Sequence, residues 1–172
     1  VVRVAKYSKL LARVLGMSEE EQEEIYYAAQ LHDLGKIGIS DQIINKRCQL
    51  TLEEFEIMKT HTIIGYDILK NRSSKYLKKG SIVALSHHER YDGLGYPNGL
   101  KGNEIPIEGR IVAIADVFDA LLMKRSYKNS WSIEEAIDYI KGKSGTQFDP
   151  YLVDRYIDNI EEIRRISYEF KD

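Results

Sequence analysis

The chain has 172 residues, of which 43% are hydrophobic and 30% charged, as is typical of one globular domain with a substantial core. Its net charge of -2 argues against binding to DNA or RNA, which requires an excess of basic residues. The single cysteine, Cys48, excludes an intrachain disulfide and a zinc site of several thiolates, and it favours a cytoplasmic location. Because the sequence has no signal peptide and no long apolar run, we expect no membrane contact by this chain.

Helical periodicity begins at the start of the chain. The apolar residues between 4 and 15 have helical spacing, and Gly16 is expected to end this first helix. Ser18 and Glu21 have the spacing of a capping box, which predicts a second helix from there to about Asp33.

The middle of the chain contains two further predicted helices and a loop. Thr51 and Glu54 form another capping-box pattern, which predicts one helix that continues to Leu69. A helix is also expected over 76–90. The stretch 91–102 is rich in glycine and has no periodicity, so it is predicted to be a loop.

The last part of the chain is again predicted to be helical. A long apolar helix is expected over 107–124, and a capping-box pattern at 132–135 starts another. Asp149 is a candidate N-cap in front of Pro150, and the helix that follows is expected to run toward Ile166. The sequence therefore predicts a single all-α domain, a bundle of about six or seven helices.

Several side chains that bind metals fall on predicted core-facing stripes: His32, His61, His87, His88 and Asp116, with Asp33 directly after His32. A buried polar group without a partner costs roughly 1–3 kcal/mol, so these groups require partners. Each alone has an ordinary explanation, as a hydrogen-bonded core histidine, a helix end or a buried ion pair. Their joint occurrence in different helices favours a metal site instead.

The order of His32 and Asp33 has a geometric consequence. Neighbouring side chains on a helix point about 100° apart, so the histidine can bind one metal while the aspartate faces a second or bridges both. Nitrogen and oxygen ligands without sulfur favour Fe or Mn, with Zn as an alternative. Two ions about 3.5–4 Å apart activate water and bind a phosphate oxygen.

These motifs resemble the HD-GYP domain family, and the similarity runs from Val4 to about Leu152. It rests on His32-Asp33-Leu34-Gly35-Lys36, His61, His87-His88-Glu89, the loop Asp92-Gly93-Leu94-Gly95-Tyr96-Pro97, and Ala115-Asp116-Val117-Phe118-Asp119-Ala120. A His-Asp pair alone is weak evidence, but the ordered set with the Gly-Tyr-Pro loop is specific. Members of this family are α-helical bundles that hydrolyse cyclic di-GMP to linear pGpG or to GMP with two or three metal ions.

The resemblance implies a role for each matching residue. The implied metal ligands are His32, Asp33, His61, His87, His88 and Asp116. Lys36 would act in catalysis beside Asp33, by contacting the phosphate or assisting the leaving group. The implied substrate-binding residues are Gly95, Tyr96, Arg125 and Lys128.

Some of these assignments have alternatives. Lys36 could instead be a solvated lysine at a helix end. Tyr96 could stack on guanine or pack against Pro97. Ser126 replaces the proline that the family has between its two basic residues, which leaves both charges in place. The first-helix residues that hold a third ion in some members precede Val1, so two and three metal ions both remain open, and we expect that the first helix is truncated at its start.

Three functions are compatible with the sequence. Hydrolysis of cyclic di-GMP is the leading hypothesis. The alternatives are a catalytically weak module that binds a nucleotide or a protein, and a phosphohydrolase of the HD superfamily that acts on another phosphoester. The expected partners are cyclic di-GMP, cyclic di-GMP synthase domains, an upstream sensory or receiver domain outside this chain, and a second copy of the chain in a homodimer.

Overall fold

The computed structural model describes residues 1–123 and 131–170, and within these ranges the chain is all-helical, which confirms the predicted fold class. The ten α-helices are α1 (Val2–Val14), α2 (Glu19–Gln30), α3 (Asp41–Ile44), α4 (Leu52–Lys59), α5 (His61–Leu69), α6 (Lys75–Ser86), α7 (Ile107–Leu122), α8 (Ile133–Gly142), α9 (Pro150–Asp158) and α10 (Ile160–Glu169). Short 3-10 helices cover Leu34–Gly38 and Gly102–Glu104.

The predicted number of six or seven helices is wrong because two predicted helices are each broken in two, and because the short α3 had not been expected. The break at Thr60 separates α4 from α5, and the Thr60 hydroxyl donates a hydrogen bond to the Ile57 carbonyl at 2.6 Å. The break at Asn159 separates α9 from α10, and its side-chain amide donates to the Arg155 carbonyl at 2.8 Å. Such side-chain bonds compete with the helical ladder and bend or interrupt it.

The signals at helix ends are confirmed in detail. All three capping boxes form with both of their reciprocal hydrogen bonds, at the starts of α2, α4 and α8. The Asp149 carboxylate accepts a hydrogen bond from the Tyr151 amide at 2.9 Å, as an N-cap should. Gly16 has a φ of 77°, a conformation that glycine adopts without strain, and it follows the end of α1.

Two helices end earlier than predicted, and both ends matter for the site. Helix α2 stops at Gln30, not near Asp33, and α6 stops at Ser86, not at Arg90. The ring of His32 hydrogen-bonds to the carbonyl of Ala29, and the ring of His87 to the carbonyl of Val83. Each of these side chains thus forms a hydrogen bond with a carbonyl in the last turn of its helix.

Helix α7 is the central element of the core. It packs against α1, α6 and α8, and α6 lies between α2 and α5. Three fully buried rings, those of Tyr7, Phe118 and Tyr156, contact one another edge to face, with centroids 5.4 to 6.4 Å apart. This packing fixes the helix that carries Asp116. In the described part of the chain, no helix is long and apolar enough to cross a membrane.

One buried ion pair joins helix α1 to helix α7. Arg3 Nε donates to Asp119 Oδ1 at 2.6 Å, and the Asp119 side chain is only 4% exposed. Asp119→Ala removes a buried carboxylate that binds Arg3, so we expect the free energy of unfolding to fall by roughly 3–5 kcal/mol in urea denaturation. Glu162→Ala is the control, because it removes an equally short but more exposed pair with Arg13. Equal losses in the two variants would contradict the prediction.

Candidate metal centre

Four of the predicted ligands converge where α5 begins and α6 ends. Asp33, His61, His87 and His88 each place one potential ligand atom within 4.8 Å of the other three. His61 is the first residue of α5, and the two adjacent histidines directly follow α6. Helix ends, not helix faces, therefore bring these side chains together.

The other two predicted ligands lie beside this cluster. His32 Nε2 is 3.4 Å from Asp33 Oδ2 and 3.5 Å from Asp116 Oδ1. On the other side, Asp33 Oδ1 is 3.4 Å from His61 Nε2 and 3.9 Å from His87 Nε2. The structure thus brings all six side chains together, and the two oxygens of Asp33 face different neighbours.

The orientation of the imidazoles suits a cation. The Nδ1 atoms of His32, His61 and His87 lie 2.6 to 3.0 Å from main-chain carbonyl oxygens, so each Nδ1 carries the proton and donates it. The Nε2 atoms of His61 and His87, which face the cluster and have no hydrogen-bond partner among the described residues, are left with a free lone pair. In metal sites the ligating histidine is fixed by the same kind of bond from its second nitrogen.

Among the residues that the structure describes, three atoms of the cluster are buried without a hydrogen-bond partner: Asp33 Oδ1, His61 Nε2 and His87 Nε2. Such atoms destabilise a fold by roughly 1–3 kcal/mol each when nothing binds them. A divalent cation would provide the missing partner for all of them. The residues present therefore fit a divalent metal ion.

The protonation states agree with this interpretation. Burial lowers the pKa of His61, His87 and His88, that of His88 to about 3, so these rings are neutral at pH 7. Burial would raise the pKa of Asp33 and Asp116, but the hydrogen bond and charge of His32 outweigh it and lower both values.

His32 has the opposite shift, because burial lowers its pKa less than the two carboxylates raise it, to about 10. A proton on Nε2 therefore takes the place that a metal cation would occupy between these carboxylates.

Gly35 allows the turn that follows Asp33 to lie directly against α5. A Cβ atom at this position would be 1.8 Å from the His61 carbonyl oxygen and 2.5 Å from the Gly65 nitrogen. This is far inside van der Waals contact, so only glycine permits the approach. The absence of a side chain at Gly35 thus lets the segment that carries Asp33 pack against the start of α5, where His61 lies.

Lys36 lies at the edge of the cluster, within the 3-10 helix that follows Asp33. Its Nζ donates a hydrogen bond to Asp33 Oδ2 at 2.6 Å, and its side chain is 39% exposed. The charge is therefore fixed beside the site and is also open to solvent. Arg125 and Lys128 lie outside the described residues.

The predicted loop at 91–102 is attached to the cluster through His88. The Tyr96 amide donates to the His88 carbonyl at 3.2 Å, and the Tyr96 ring stacks on the His88 ring with centroids 4.8 Å apart. Gly95 is necessary here, because a Cβ atom would be 2.3 Å from the Arg90 nitrogen. Both loop residues named in the sequence analysis thus lie at the site.

Glu89 is the residue of this site to which the sequence analysis gave no role. Its carboxylate is buried and accepts hydrogen bonds from the amides of Asn98 at 2.8 Å and Leu100 at 3.0 Å. Because Glu89 directly follows His88, these two hydrogen bonds hold residues 98 to 100 of the loop beside that histidine. A charged residue directly after two buried histidines was the available signal, since a buried carboxylate needs donors.

The comparisons with known proteins agree with this geometry. The family model described as HD domain matches residues 1–152, and the chain belongs to this family. Its resemblance to the HD-GYP group is confirmed by relatives over nearly its whole length. It is 49% identical over 170 residues to a protein of Thermotoga maritima named cyclic di-GMP phosphodiesterase, covering 99% of this chain and 46% of the relative.

A second relative is the Xanthomonas campestris protein named cyclic di-GMP phosphodiesterase response regulator RpfG, 45% identical over 98% of this chain and 44% of its own length. The chain thus spans less than half the length of both relatives. Among solved structures, a cyclic GMP-AMP-specific phosphodiesterase from V. cholerae superposes with a TM-score of 0.70 at 25% identity. That match covers 96% of this chain and 44% of the other.

The role of Glu89 can be tested without touching a candidate ligand. Glu89→Gln replaces one acceptor oxygen by an NH2 group, so one loop amide loses its acceptor. We expect faster hydrogen exchange at Asn98 and Leu100 by mass spectrometry, with metal content retained. Glu104→Gln is the control, since its carboxylate accepts the Lys101 amide at 2.9 Å on the surface. Loop exchange as slow as in the wild type would show that Glu89 does not hold the loop.

Proposed function

We propose that this chain is a metal-dependent phosphodiesterase that hydrolyses cyclic di-GMP to linear pGpG, GMP or both. The observation that carries the proposal is the cluster of buried ligand atoms without partners, at Asp33, His61 and His87. Membership of the HD domain family and the names of the two relatives support the reaction and the substrate.

We assign the six clustered side chains to two divalent ions that share Asp33. Oδ1 of Asp33 faces His61 and His87, whereas Oδ2 is the oxygen near His32, with Asp116 on that side. The absence of sulfur from this set favours Fe or Mn, with Zn as the alternative. Divalent ions in such a site make water more acidic and offset the charge on phosphoryl oxygens. A third ion, and a first helix truncated at its start, both stay predictions.

The remaining residues would position the substrate. Lys36 holds a positive charge next to Asp33, where a phosphoryl oxygen or the leaving oxygen can approach it. Gly95 and Tyr96 lie beside His88, and we assign them to the nucleotide. Arg125 and Lys128 follow α7, which carries Asp116, and we assign them to the phosphate groups.

A second substrate has a specific observation in its favour. The V. cholerae structure is that of a phosphodiesterase specific for cyclic GMP-AMP, so this mixed dinucleotide is the competing substrate. Incubation of the metal-loaded protein with each dinucleotide, followed by chromatography of the products, separates the two. The catalytically weak binding module is disfavoured, because a protein without turnover has no need to keep buried ligand atoms without partners.

Fewer observations bear on binding partners other than the substrate. One relative is named a response regulator, and both relatives are more than twice as long as the matched segment. These facts support the proposal of an upstream sensory or receiver domain. Synthase domains, a homodimer and a cytoplasmic location stay predictions.

The metal assignment is tested with His61→Ala. This variant removes an Nε2 ligand that is buried and without a partner, so we expect loss of bound metal together with loss of cyclic di-GMP hydrolysis. Metal content is measured by plasma emission on protein purified without chelators. Ile63→Ala, an exposed position two residues later on the same helix, is the control. Wild-type metal content in His61→Ala would exclude His61 as a ligand.

The role of Lys36 is tested by steady-state kinetics. If Lys36 stabilises the transition state, Lys36→Ala lowers kcat by about 10²-fold with little change in KM, the low end for an electrostatic donor. Lys70→Ala is a matched control, because Lys70 forms an ion pair of the same spacing and length with Asp67, on the far end of α5. A raised KM with unchanged kcat indicates a ground-state contact and would contradict the catalytic assignment.

A further inference from the structure

A cavity of about 320 Å³ opens directly beside His87 and His88. Its walls are the loop at Tyr96, the helix α4 and the middle of α7. The volume lies at the lower end of the range of small-molecule sites, which begins at about 300 Å³. Because the cavity borders two of the clustered histidines, a group attached to a phosphate at the cluster would enter it.

Two aromatic rings stand at the wall of this cavity. Phe55 on α4 is 44% exposed, and its ring lies nearly perpendicular to that of Tyr96, with centroids 6.2 Å apart. The two perpendicular rings form a corner of the cavity wall and leave the space in front of them open to a ligand. The exposed face of such a ring is a platform on which a nucleobase stacks, a contact worth about 1–3 kcal/mol per base.

Lys59, one turn after Phe55, places a charge at the same corner. Its Nζ lies 5.5 Å from the Phe55 ring centroid and 5.7 Å from that of Tyr96. Its ion-pair partner is Glu56, whose side chain is 68% exposed, so this pair is weak and the ammonium is free to bind a ligand. Arg90, which also lines the cavity, is instead held by two hydrogen bonds to Asp92.

The chemistry of this corner discriminates between purines. An ammonium group only donates hydrogen bonds. Guanine presents two acceptors, N7 and O6, along one edge, whereas adenine presents one acceptor and the N6 donor there. A lysine beside a stacked base therefore favours guanine over adenine.

We propose that Phe55 and Lys59 form a guanine subsite next to the metal cluster, in which Phe55 stacks on the base and Lys59 donates to its O6 and N7 edge. The inference rests on the proposed function, since the base enters the cavity as part of a cyclic dinucleotide. It assigns substrate selectivity to α4, a helix that contains none of the six clustered side chains.

The test compares kcat/KM on three substrates: cyclic di-GMP, cyclic di-AMP and bis(4-nitrophenyl) phosphate, a diester without a base. For Lys59→Met we expect a fall of about tenfold or more on cyclic di-GMP, the scale of one charged hydrogen bond. The preference for guanine over adenine should shrink by the same factor. For Phe55→Leu we expect both dinucleotides to lose about fivefold or more, the scale of one stacked base. In both variants the diester without a base should lose much less.

Matched controls separate these effects from general damage to the surface of the helix. Lys70→Met removes a lysine that also pairs with an acid three residues away and also lies over a tyrosine ring, 5.3 Å from its centroid. Ile57→Ala truncates an apolar side chain on α4 that is as exposed as Phe55. Both controls should keep the wild-type selectivity between the three substrates.

The outcomes distinguish this inference from the proposed function. If Lys59→Met lowers all three activities equally, or none, the guanine subsite is wrong even though the wild type hydrolyses cyclic di-GMP. If the wild type hydrolyses no cyclic dinucleotide, the proposed function is wrong, and calorimetry of the metal-loaded protein with GMP then tests the subsite directly. An affinity for GMP that is unchanged in Lys59→Met would overturn the inference in that case too.

Discussion

The organisation of this end of the bundle depends on one constraint: an oxygen of Asp33 and nitrogens of His61 and His87 are buried together, and no group in the described part of the chain hydrogen-bonds to them. Asp33 lies at the centre, with His61 and His87 on one of its oxygens and His32 on the other. Buried polar atoms without a hydrogen-bond partner destabilise the fold. A bound cation would supply partners for these atoms, so we expect metal binding and the stability of this region to be coupled.

The same hydrogen bonds shape the backbone and prepare the ligands. The Nδ1 of His32 donates to the Ala29 carbonyl and the Nδ1 of His87 donates to the Ala84 carbonyl at 3.1 Å, so each side chain binds a carbonyl in the last turn of its helix, where helix ends leave such groups unpaired. That bond also fixes the tautomer and turns Nε2 toward Asp33. Helix ends are therefore suitable positions for these histidines, since residues in the middle of a helix find the same carbonyls already bonded to amides.

The sequence was sufficient for the helices that begin with side-chain caps, because caps depend on local spacing and residue chemistry. The six clustered side chains were named from their residue types and the family motifs, but the helical stripes expected to carry them do not extend to His32 and His87, since α2 and α6 end before these residues. The sequence was insufficient for the breaks at Thr60 and Asn159, where the apolar periodicity continues across a backbone that is interrupted. The hydrogen bonds of Glu89 could also not be predicted from the sequence, since their donors are nine and eleven residues away, in a loop without periodicity. Lys59 was not distinguished from any solvated helical lysine, because its position beside the cavity is a tertiary property.

The loop and the metal cluster cannot vary independently. His88 contributes a ligand atom to the cluster, its ring supports Tyr96, and its neighbour Glu89 holds the amides of the loop beyond Tyr96. The wall of the cavity is thus built on the residues that are positioned for the metal. A change that moves His88 therefore moves the loop wall of the cavity as well, whereas Phe55 and Lys59 approach from α4, which contains none of the six clustered side chains. If Phe55 and Lys59 contact the base, as we propose, substitutions on α4 alter the base preference with less disturbance of the cluster than substitutions in the loop.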